Sequence, residues 1–129
     1  MKKFTALLLA LVMVLSLAAC GAKNDATTDI PDSTTLLSNV FAAYAESEKF
    51  PVGGGSGESM VMDAPGALDI ADTETMDYMV GLPAASASMI DDAASAMHMM
   101  NANTFTAGCF RVSDSANVDT VVKALQENI

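Results

Sequence analysis

The segment "DDAASAMHMMNANTFTAGCFRV", Asp91 to Val112, constrains the fold most, because it decides whether the chain can be all-helical. Alanine and methionine are good helix formers, so propensity favours a helix over its first ten residues. That helix would put Met97 and Met100 on one face and leave His98 and Met99 off it. The competing reading is a hairpin, with "SAMHMM" paired to "FTAGCFRV" across the turn Asn101 to Thr104. Asparagine suits such a turn, and the second arm is rich in threonine, aromatic and valine residues. On these residues alone both readings stand.

Amphipathic helices flank this segment in the sequence. Leu36, Leu37, Val40, Phe41 and Tyr44 recur at helical spacing behind a cap at Asp32 or Ser33, which predicts a helix from about Thr34 to Ser47. A shorter helix follows Asp72 or Thr73. Glu74 favours its first turn, Gly81 and Pro83 stop it, and Met76, Met79 and Val80 are expected to face the core. The last helix carries Val118, Val121, Val122, Leu125 and Ile129 on one stripe, with Ser115 or Asn117 as its cap. Between the first two helices lie Pro51 and the run "GGGSGES", Gly53 to Ser59. A phosphate loop needs a Lys-Ser/Thr pair after its last glycine, whereas Gly57 precedes Glu58, so this run reads as a flexible loop. A turn is expected at Pro65-Gly66.

The N-terminus has a different character. Lys2 and Lys3 precede an apolar run from Phe4 to Leu17. Fourteen residues of helix rise only about 21 Å, short of the roughly 30 Å of a bilayer core, so a removable signal helix fits better than a permanent span. The "LAAC" that follows, Leu17 to Cys20, with Gly21 next, resembles the lipobox of bacterial lipoproteins. The resemblance implies cleavage between Ala19 and Cys20 and a diacylglycerol on the Cys20 thiol. Two acyl chains suffice for stable anchoring where one does not. The expected organisation is therefore a signal peptide at 1–19, the lipidated cysteine and a flexible acidic spacer at 20–32, and a single small domain at 33–129. The last helix lacks a C-capping signal, so that domain is expected to be truncated at its C-terminus.

From Cys20 onward the chain holds sixteen acids against Lys23, Lys49, Arg111 and Lys123, a formal charge of −12. Nucleic-acid binding, which needs a cationic footprint, is excluded as an expectation. Anionic headgroups would also repel this domain, which leaves the lipid on Cys20 as its membrane contact and the outer face of the cell membrane as its location. With Cys20 acylated, only Cys109 remains, so the core must hold without a disulfide.

The stretches "DIADTETMDYMVGLP", "SAMHMMNANTFTAGCFRVSD" and "VDTVVKALQENI" together resemble a domain of unknown function found in lipoproteins of Firmicutes. The resemblance implies a strand over 104–112, a hairpin, and a further strand after the last helix. It transfers no catalytic residues. With it, the expected fold class is α+β: a small antiparallel sheet, its hairpin near 93–112, flanked by amphipathic helices and preceded by the signal helix.

A four-residue turn would set Met100 opposite Phe105, His98 opposite Ala107 and Ala96 opposite Cys109, placing Met100, His98 and Cys109 on one face. Imidazole, thioether and thiolate suit a soft metal such as Cu(I), so Met97, His98, Met99, Met100 and Cys109 are candidate ligands. Alternation sends Met97 and Met99 to the other face, however, and methionine also fills irregular cores. Core packing is the favoured reading of these methionines and of Met60, Met62, Met76, Met79 and Met89. No third residue orients a Cys109–His98 pair for nucleophilic work, and no EF-hand loop is present. The expectation is thus a non-enzymatic, cofactor-free module that binds an extracytoplasmic protein or small ligand, with soft-metal binding as its alternative.

Overall fold

The computed structural model describes residues 30–100 and 105–129. Expectations for the signal helix, for Ala19 and Cys20, for most of the spacer and for the turn Asn101–Thr104 lie outside those residues. Residues Pro31–Ile129 make one compact unit. It is α+β, with helices on both faces of a five-stranded antiparallel sheet.

Helix α1, Ser33–Ala42, starts where Asp32 accepts hydrogen bonds from the Thr35 amide and hydroxyl, both at 2.8 Å. The Ser33 amide instead donates to Asp92 Oδ2 at 2.6 Å, tying the helix start to the sheet. The helix stops short of Ser47, because the chain turns to bring Tyr44 and Phe50 against Phe41. Helix α2, Thr73–Val80, is capped by Asp72 through the Thr75 amide and hydroxyl. Gly81, at φ 69°, ends it, and the Leu82 amide reaches back to the Met76 carbonyl. Helix α3, Val118–Asn128, follows a 3-10 turn at Ser115–Asn117. That turn is capped by Asp114, upstream of the two expected caps, while Asn117 makes no side-chain cap bond.

Both capping carboxylates are held below the usual carboxylate range. Asp32 is lowered chiefly by the Thr35 amide and Asp72 chiefly by the Thr75 hydroxyl. Since the folded value is depressed, their contribution is complete above the ordinary carboxylate pKa and lost as pH falls through the folded one. Asp32→Asn and Asp72→Asn should therefore lower the melting temperature at pH 7 and leave it closer to wild type at pH 3. Melts at the two pH values check this; an equal deficit at both would mean the carboxylate charge contributes nothing.

The sheet centres on β4, Ile90–His98, paired along one side with β5, Thr106–Val112. The segment 91–100, open between helix and strand, is thus strand up to His98. Its small side chains have a purpose. Ala94 and Ala96 are fully buried under Leu37 and Phe41 of α1, while Ala93 faces Met76, Val80 and Leu82 beneath α2 and α3. A bulge at Asp91 lets Ile90 turn into the α2–α3 side of the core, and Asp91 pairs with Arg111 at the surface.

The other side of β4 carries an interrupted edge. Strand β1, Val52–Gly54, pairs antiparallel at Met97 and His98, and β3, Gly66–Ala67, pairs antiparallel at Ala94 and Ser95. They lie end to end. Residues 55–65 leave the sheet between them and double back as β2, Val61–Met62, which pairs outside β1. Where the excursion departs and returns, a Cβ on Gly54 would collide with the Gly66 amide nitrogen and the Ser95 carbonyl oxygen. The expected flexible glycine loop is corrected accordingly: Gly53 and Gly54 are buried strand residues, and Gly66 is a strand residue rather than part of a turn.

Candidate functional site

The hairpin register differs by two residues from that of a four-residue turn. Met97 opposes Thr106, Ala96 opposes Ala107, and Cys109 opposes Ala94 rather than Ala96. The cause is competition for amides. Met99 N–H donates to the Pro51 carbonyl at 3.1 Å, and Met100 N–H donates to His98 Nδ1 at 3.0 Å, which draws both residues out of the ladder.

This register sets Cys109 apart from the other proposed ligands, while Met97, His98 and Met99 stay together at the end of β4. His98 and Cys109 share a face but not a neighbourhood, since Cys109 sits opposite a residue four positions from His98, roughly 13 Å at about 3.3 Å per strand residue. The two side chains therefore do not meet. Cys109 packs with Ala94, Ala96 and Leu37 under α1. The His98 ring stacks on Phe50 at 5.1 Å and 15°, within a cluster that includes Phe41, Tyr44 and Phe105. Met100 is exposed. Among the described residues, no group of three or more His, Cys, Asp or Glu side chains is arranged to hold a metal.

Core packing accounts for only some of the methionines. Met76 is completely buried, and Met79 and Met89 pack against the same cluster. Met60 and Met62 are exposed by 61% and 63%, and Met99 by 43%, which corrects the expectation that they supply core volume. Met60, Met62, Met97 and Met99 instead line one small pocket of about 160 Å3, with Gly53, Gly54 and Gly55 at its base and His98 on its border. Register explains the convergence. Met62, Gly53 and Met97 lie in one row across β2, β1 and β4, while Met60 and Met99 stand just beyond the ends of β2 and β4 and reach the same pocket. Met99 sulfur lies over Gly53, where any Cβ would occupy its place. The buried Ser95 hydroxyl holds the floor by accepting from the Gly55 amide at 3.1 Å. The signal in the sequence was the pair Met60-x-Met62 and Met97-x-Met99, each at strand spacing.

A second concavity, about 400 Å3, opens between α2 and α3 over β5. Met79, Val80, Gly108, Phe110, Leu125 and Ile129 line it, and Thr106 supplies its one side-chain hydroxyl. None of the described residues lining it has a titratable side chain. Its volume lies in the range of small-ligand pockets, and its lining is apolar with little to polarise a bond. No protein-family model, curated protein or solved structure matches the chain.

Proposed function

We propose that this chain is a lipid-anchored extracytoplasmic lipoprotein whose domain binds a partner or small apolar ligand and carries out no reaction. The observation that carries the binding reading is the groove between α2 and α3: about 400 Å3 and largely apolar, with Thr106 supplying the only polar side chain among the described lining residues. The anchoring reading is carried by the sequence, through Lys2-Lys3, the apolar run and "LAAC" ending at Cys20. The thiol of Cys109, packed under Leu37, is poorly placed to act as a nucleophile. On this reading the fatty acyl groups supply the membrane contact, and the acidic domain faces away from anionic headgroups.

Metabolic labelling with a fatty acid in a Gram-positive host tests the anchor. The wild-type chain should carry the label and sediment with membranes, whereas Cys20→Ser should lose the label and appear in other fractions. An unlabelled wild-type chain would overturn the lipoprotein reading.

A further inference from the structure

We propose that Met60, Met62, Met97 and Met99 form an all-thioether site for a soft monovalent d10 cation, Cu(I) or its redox-inert surrogate Ag(I). The proposal goes beyond the binding-module reading, concerns a different pocket, and rests on that reading only for the compartment in which the metal would be met. Four of the chain's ten methionines reach one pocket of about 160 Å3: Met62 and Met97 from β2 and β4, strands that are not adjacent, and Met60 and Met99 from the residues flanking those strands. The intervening strand supplies Gly53 and no side chain at the crossing point.

Strand spacing makes the glycines necessary. Cα rows on β2 and β4 lie about 10 Å apart across β1, at about 4.8 Å per strand, so thioethers leaning inward from both sides meet above the middle strand. A side chain there would hold them apart. Met99 demonstrates the approach, its sulfur already lying over Gly53. Three of the four are too exposed to be core, at 43–63%, although flexible apolar side chains are normally buried when a core has room for them. Sulfur donors of this kind select soft cations over Zn(II), Mg(II) or Ca(II). The formal charge of −12 after Cys20 concentrates cations near the domain without selecting among them.

This ligand set differs from one built on His98 or Cys109, and the difference is measurable. A thioether has no proton to lose, so the affinity should be nearly constant from pH 7.5 down to pH 5, where an imidazole or thiol site weakens as protons compete. His98 borders the pocket, but its ring stacks on Phe50 and its Nδ1 lies 3.0 Å from the Met100 amide.

The experiment is an Ag(I) titration of the full chain in detergent, with Cys20→Ser and Cys109→Ser removing both thiols and with the methionine methyl groups labelled for NMR. One equivalent should shift the methyl signals of Met60, Met62, Met97 and Met99 together and leave those of Met76, Met79 and Met89 in place. Met62→Leu and Met97→Leu keep the volume and remove the donor. Each should weaken binding at least about tenfold, the scale on which even supporting groups of a metal site act. His98→Ala should bind as its parent does. Shifts confined to Met100, unchanged affinity in the leucine variants, or affinity that falls steeply toward pH 5 would each overturn the proposal. Acylation at Cys20 is measured separately, so loss of the anchor and loss of the metal site give different results.

Discussion

Alanine in place of Gly54 should destabilise the protein by more than about 3 kcal/mol, beyond the usual range for overpacking, because nothing near the new methyl can yield. Its Cβ would meet the Gly66 amide nitrogen, the Ser95 carbonyl oxygen and, at 2.6 Å, the Pro65 carbonyl carbon. All three are backbone atoms at the junction of β1, β3 and β4, so relief requires the two short strands to part. Gly66→Ala should behave the same way, as its Cβ would lie 2.5 Å from the Gly54 carbonyl carbon. Gly57 supplies the control. A Cβ there meets nothing, so Gly57→Ala should cost only the strain of its φ of 54°, roughly 1–2 kcal/mol. Urea denaturation of the three variants checks the ordering. Wild-type stability in Gly54→Ala would mean that β1 and β3 do not abut.

The second large effect separates the methionines by role. Met76 is fully buried between α2 and the sheet, so Met76→Ala should cost about 2–5 kcal/mol, while Met76→Leu, which nearly conserves volume, should cost less than about 1.5 kcal/mol. Met62 is 63% exposed, and Met62→Ala should stay within about 0.5 kcal/mol of wild type. Calorimetric or denaturant melts give both values. A large loss at Met62 would place it in the core and remove the reason to assign its sulfur another role.

What could be read from the sequence divides along the range of the interactions involved. Helix α2 was legible almost to the residue, because Asp72 and Gly81 act on backbone groups within one turn of themselves. Strand β4 was not. It is covered on both faces, so buried residues follow one another from Ala93 to Ala96 with no alternation to detect, and its alanines favour helix when considered singly. The hairpin register turned on Pro51, a carbonyl more than forty residues away that captures the Met99 amide. The same long-range pairing hid the methionine pocket. Met60 and Met62 join Met97 and Met99 only because β1 lies between them, and no local rule announces that.

The interrupted edge of the sheet has a consequence for how such a domain can vary. Beyond Gly54 and before Gly66, the chain returns to the line it left, so the sheet needs only those two ends to meet. The Gly55–Pro65 excursion behaves as an insertion spliced into a single edge strand, and long surface insertions carry only a small entropic cost. Met60 and Met62 ride on that insertion, whereas Met97 and Met99 belong to the scaffold. Half of the pocket can therefore be lengthened, shortened or rewritten without disturbing the hydrogen bonds of β4. Ligand preference could change quickly in a lineage whose fold stays the same.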